Sequence, residues 1–142
     1  MEENPSTIGL TYIINDARTG YLLSGMGTFT GDKVVVAEKY NGLPVVGIAP
    51  NSFLNNLTLT SIYFTKDIKY IYDSAFEGCA NLSALTLPEN LISIGKRAFF
   101  GCLKLTTVTI PSKVEKLEEQ AFGNLSSLLS VTFENNQLEN LP

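Results

Sequence analysis

The chain has 142 residues, 44% of them hydrophobic, which fits one domain or one piece of a longer array and argues against disorder. Ten Lys/Arg against fourteen Asp/Glu give a net charge of -4; no basic stripe occurs, which argues against nucleic acid or an anionic membrane surface as main partner. Histidine is absent, which removes the commonest general base, the Ser-His and Cys-His nucleophile pairs, and imidazole metal sites together.

Met1–Thr7 is polar and acidic, without the apolar core of a secretory leader, and residues 1–8 read as an unstructured or expression-derived N-terminus. That leaves open an intracellular protein and one whose leader has been removed. No run of roughly 18 apolar residues provides a membrane span, so no membrane insertion is expected. From Gly9 the pattern is strand-like: Leu10, Tyr12 and Ile14 alternate with Thr11, Ile13 and Asn15. Asn15–Gly20 supplies turn residues before Tyr21-Leu22-Leu23, which predicts a hairpin with a longer loop. Lys33–Ala37 is a third short strand, and Asn41-Gly42-Leu43-Pro44 turns the chain into Val45–Ile48. None of this follows the period that comes next, so residues 9–47 are expected to form an N-terminal β cap over the open end of a stack.

From Ile48 the chain repeats itself. Phe53, Phe76, Phe99 and Phe122 fall 23 residues apart, as do Ile48, Ile71, Ile94 and Leu117. Further slots hold Leu59, Leu82, Leu105 and Leu128; then Ile62, Leu85, Val108 and Val131; then Phe64, Leu87, Ile110 and Phe133. The last apolar slot, Ile68, Leu91 and Val114, meets polar Gln137, and the pattern decays with Leu138 and Leu141 displaced by one residue. Four repeats are read, at 48–70, 71–93, 94–116 and 117–142. Within one, Leu85 and Leu87 share a face of a short strand that Pro88 ends. Asp73–Gly78 reads as one helical turn, with Asp73 as N-cap and Gly78 as its stop. A single repeat cannot bury its own Phe, Leu and Ile set, so neighbours must stack. The expected architecture is an α/β solenoid: a right-handed array with a parallel sheet along one side.

The residues from Ile94-Gly95 through Ala98-Phe99, Gly101-Cys102, Leu105 and Val108 to Ile110-Pro111 resemble the signature of the BspA-type leucine-rich repeat family. Gly9-Leu10-Thr11-Tyr12 and Tyr40–Val45 are similar to that family's leading segment. The resemblance implies a binding scaffold exported to a bacterial surface, with adhesion to host proteins and other cells as its work; the partner expected here is a host or neighbouring-cell surface protein or glycan.

Four features could carry chemistry. Cys79 and Cys102 occupy one slot of successive repeats, about 4.8 Å apart if stacked on a parallel sheet; buried free thiols are the expected state, with a disulfide as the alternative. Gly25-Met26-Gly27 lacks the third glycine and following helix of a phosphate loop and reads as a turn. Glu115, Glu118, Glu119 and Glu134 could include an acid–base pair, but they fall in variable slots and read as solvated surface. Asn56, Asn81 and Asn124 begin Asn-x-Ser/Thr triplets that recur because the repeat places Asn before Leu.

For binding, the candidates are the outward strand rows and scattered aromatics. Tyr63, Thr86, Thr109 and Thr132 form one row; Ser61, Ala84, Thr107 and Ser130 form its neighbour. Tyr63, Tyr70 and Tyr72 are candidates for an aromatic patch at the first-repeat end, and Phe100, beside core Phe99, for an exposed contact with another subunit. No enzyme, metal or cofactor is expected. The leading expectation is a non-catalytic surface adhesion module, with self-association through the open C-terminal repeat end as a further partner; the alternative is a structural spacer.

Overall fold

The computed structural model describes residues 6–134. The expectations for residues 1–5, and for Gln137, Leu138 and Leu141, lie outside the described residues. Stacked turns of chain carry twelve strands among the described residues. β1 (Thr11–Ile14) and β2 (Tyr21–Gly25) form the expected antiparallel hairpin, and β4 (Lys39–Tyr40) pairs antiparallel with β5 (Leu43–Ile48). β5 then pairs in parallel with β7 (Tyr70–Ile71), which pairs with β9 (Ser93–Ile94), which pairs with β11 (Lys116–Leu117). This is one side of the solenoid.

A second row of strands runs along another side, where a single sheet was expected for the whole molecule. β3 (Lys33–Val35), β6 (Ser61–Tyr63) and β8 (Ala84–Leu85) form one parallel sheet; β10 (Thr107–Ile110) and β12 (Ser130–Phe133) form another. The two sheets are not joined between β8 and β10. We call this row the strand face.

The cap is more than a lid. β2 pairs in parallel with β5, placing Leu23 beside Ile48, and β3 pairs with β6, placing Val34 beside Ile62. Residues 9–47 therefore enter the ladders themselves, with longer spacings that a 23-residue period does not reveal. Thr7 is tied in too: its N–H donates to the Val35 carbonyl and its hydroxyl accepts from the Val35 N–H, at 2.9 and 2.8 Å.

No α-helix occurs among the described residues, so the fold is a β-solenoid rather than α/β. The segment read as a helical turn, Asp73–Gly78, is a string of tight turns. Ser74 has φ +57° and Gly78 φ +77°, left-handed values that interrupt a right-handed helix. The same two slots are left-handed at Asn51, Arg97 and Gln120, and at Asn55, Gly101 and Asn124. This conformation turns alternate amides outward along the stack. The N–H groups of Ser74, Phe76 and Gly78 donate to the carbonyls of Lys96, Ala98 and Phe100 in the next repeat, at 2.7–2.9 Å. Those of Ala75, Glu77 and Cys79 donate back to Tyr72, Ser74 and Phe76. Hydrogen bonding between repeats thus replaces the helical bond pattern. Asp73 also works between repeats, its Oδ1 accepting from the Lys96 N–H at 2.9 Å. Gly95 makes that approach feasible, because a Cβ there would collide with the Asp73 carboxylate and lie 2.6 Å from its backbone nitrogen.

Inside, like residues pile on like. Phe53, Phe76, Phe99 and Phe122 stack with centroids 5.1–5.2 Å apart and planes within 9° of parallel. Three of the four are fully buried, as are Ile48, Ile71 and Ile94 and the leucines Leu59, Leu82 and Leu105. Burying so large an aromatic set is the main apolar driving force for stacking.

Candidate functional site

Strand alternation sends Ile62, Val108 and Ile110 inward and leaves the intervening side chains outside. In the outward row Tyr63, Thr86, Thr109 and Thr132 are all exposed, as are Ala84, Thr107 and Ser130 of the neighbouring row. A groove of about 810 Å³ lies over part of this face. Tyr63, Thr86 and Thr109 line it, flanked by Lys33, Lys66 and Glu89. Thr107 and Thr132 belong to the same face but lie outside the groove lining.

The expected aromatic patch divides. Tyr63 stands in β6 on the strand face, with its side chain 53% exposed. Tyr70 lies in β7, on the other sheet, where its ring packs against Tyr72 at 5.9 Å. Burial raises the Tyr72 phenol above its usual range, with smaller contributions from Tyr70 and from Asp16 of the cap hairpin. Tyr70 and Tyr72 therefore sit beside the cap, away from Tyr63. Phe100 also departs from expectation. It is half-buried, and the Arg97 guanidinium lies 3.6 Å over its ring centroid.

Arg97 is itself held. Its Nε and Nη2 donate to Glu77 Oε2 at 3.1 and 2.7 Å, its Nη1 donates to Gln120 Oε1, and the Ser74 hydroxyl donates to Glu77 Oε1. The Arg97 hydrogen bonds, then that of Ser74, hold the Glu77 carboxyl below the usual carboxylate range. This network ties three repeats together on the turn face.

Several of the other chemical candidates take part in packing or local bonding. Cys79 and Cys102 are free buried thiols whose Sγ atoms donate to the carbonyls of Phe53 and Phe76, at 3.0 and 3.2 Å. Burial pushes each thiol up to about 12, which leaves almost no thiolate near neutrality. Glu118 is ion-paired with Lys116 at 3.2 Å, and the Glu119 carbonyl accepts from the Arg97 N–H. Asn56 turns its Oδ1 back to accept from Thr58 and Leu59, and Asn81 donates to the Leu57 carbonyl. Among the described residues no three His, Cys, Asp or Glu side chains converge as a metal site. At the C-terminal end of the described chain, Val131 and Phe133 are 41% and 45% exposed, whereas Val108 and Ile110 in the same slots are buried.

Sequence reasoning missed the charged rim. Lys66 and Glu89 fill one slot of consecutive repeats, just beyond the strand, and that shared slot was the available signal. It also missed the cap tyrosines: Tyr40 stacks on Tyr12 at 4.5 Å and meets Tyr21 edge-on at 5.0 Å.

Comparison with known proteins agrees with this architecture. The family described as "BspA type Leucine rich repeat region" matches six copies over residues 46–141, and the chain belongs to that family. A leucine-rich repeat protein from Bacteroides capillosus is 28% identical, with TM-score 0.79 over 94% of this chain and 100% of its own. The T. pallidum leucine-rich repeat protein is 25% identical, with TM-score 0.74 over 92% of this chain and 71% of its own. A protein described as a leucine rich cell surface protein, from Faecalibacterium prausnitzii, shares the fold at 21% identity, with TM-score 0.67 over 94% of this chain and 43% of its own. No curated protein matches the sequence.

Proposed function

We propose that the chain is a non-catalytic recognition module of a bacterial cell surface, engaging a protein or glycan of a host or neighbouring cell through its strand face. The groove carries this reading: Tyr63, Thr86 and Thr109, exposed side chains that the repeat does not use for packing, line it together. Rigid secondary structure presenting uncommitted side chains is what a repeat scaffold offers a partner. The buried thiols and the ion-paired Glu118 favour binding over turnover. Surface placement is supported by the family and by the neighbour of the same fold described as a cell surface protein.

The test is a panel of immobilised extracellular-matrix proteins and cell-surface glycans probed with the intact chain. A saturable binder is expected, and Thr86→Glu with Thr109→Glu should abolish it while leaving the melting temperature unchanged. Full binding by that double variant would move the contact off this face. Binding to nothing on the panel would favour the structural spacer.

A further inference from the structure

The groove differs from the rest of the strand face in its floor. Neighbouring repeats are hydrogen-bonded between β6 and β8 and between β10 and β12, but among the described residues no backbone hydrogen bond joins β8 to β10. The pairing seen on either side is interrupted between these two strands, and Leu85, an inward slot, is only half-buried there. On the opposite sheet the ladder continues past the same level, with Ile71 paired to Ile94 and Ile94 to Leu117. The opening is local to the groove.

Resting on the reading of this face as the binding surface, we propose that the groove is a carbohydrate site that takes a short pyranose oligosaccharide, with Tyr63 as its platform. A pyranose has an apolar C–H face and a rim of hydroxyls that both donate and accept. Tyr63 supplies an exposed aromatic face, negative at its centre, against which polarised C–H groups pack. Thr86 and Thr109 supply hydroxyls that donate or accept, Lys66 a donor and Glu89 an acceptor. Lys66 and Glu89 form no direct ion pair with each other, so the polar atoms of both are open to a ligand. The groove volume lies within the range of roughly 300–1,000 Å³ typical of small-ligand sites.

Other ligand chemistries fit less well. Lys33 and Lys66 are balanced in the groove lining by Glu89 and Glu134, so a phosphate ligand would meet no net positive charge. A protein interface draws its energy from several buried aromatic or aliphatic anchors. Here the outward rows are Ser, Ala and Thr beside the one large ring of Tyr63.

An array of defined host, plant and microbial oligosaccharides, probed with the intact chain, tests this. The strongest binder is then titrated against the isotope-labelled protein. The expected result is saturable binding that shifts the amides of Tyr63, Thr86 and Thr107–Thr109. Tyr63→Ala should weaken it about tenfold at an unchanged melting temperature, while Tyr63→Phe keeps it and Tyr72→Ala leaves it unaltered. No binder on the array, or binding indifferent to Tyr63→Ala, overturns the sugar proposal. If a matrix protein binds through the strand face while every sugar fails, the recognition-module reading stands and the sugar does not. If neither reaches the face, both fall.

Discussion

The turn face and the strand face are built from the same repeats, yet they are joined in different ways. On the turn face every described repeat from Asn51 onward is bonded to the next through alternate amides, and the phenylalanine stack runs beneath without interruption. On the strand face the ladder opens between β8 and β10, and the outward rows point away from the core. One face holds the array together; the other has slots to spare. Stability should therefore respond to changes on the turn side, and binding to changes on the strand side.

The largest effect should come from the centre of the aromatic stack. Phe99 is fully buried between Phe76 and Phe122, so Phe99→Ala removes two ring contacts and leaves a cavity that stacked neighbours cannot close. The expected cost is about 3–5 kcal/mol by denaturant unfolding. A loss comparable to that of a surface change would mean that the stack does not carry the fold.

An intermediate effect is expected at the turn-face ion pair, and it depends on pH. The folded Glu77 carboxyl lies below its ordinary range because Arg97 and Ser74 hydrogen-bond the charged form. The unfolded chain then takes up this proton at a higher pH than the folded one. The stability due to Glu77 is complete above the usual glutamate value of about 4.3 and is lost as pH falls through the lower folded value. Thermal melts of wild type and Glu77→Gln should differ near neutrality and converge in acid. A constant offset across that window would show that the pair acts through shape rather than charge. Both partners are partly exposed, so the effect should stay well below that of Phe99→Ala.

The same contrast explains what is legible in the sequence. Phe76, Ile71 and Leu82 declare themselves by recurring, because like must stack on like for a repeat to bury its apolar set. The alternation around Val108 likewise marks Thr107 and Thr109 as outward from the residue pattern alone. The turn at Ser74 reads wrongly as helix because its conformation is decided by bonds to Lys96 and Ala98 in the next repeat, whereas Asp-Ser-Ala-Phe-Glu-Gly in isolation suits a helix. The recurrence of Asn55, Gly78, Gly101 and Asn124 in one slot is the clue, since Asn and Gly tolerate left-handed backbone best. Leu23 and Val34 join the ladders unseen because the cap reaches Ile48 and Ile62 at spacings longer than the 23 of the repeats. The opening between β8 and β10 is not marked in the repeat pattern, because Leu85 and Val108 fill the same apolar slot as Ile62 and Val131.

The smallest effect on stability should come from the strand face itself. Thr109 is exposed on β10, and its hydroxyl forms no side-chain hydrogen bond among the described residues, while valine keeps its branched shape and strand preference. Thr109→Val should therefore change unfolding free energy by no more than about 0.5 kcal/mol. The same holds for Thr86→Val, one repeat earlier across the opening. If these near-silent changes weaken ligand binding, the threonine hydroxyls serve recognition. A clear loss of stability would instead mean that the hydroxyls help to close the gap between β8 and β10, and the strand face would then be part of what holds the array together.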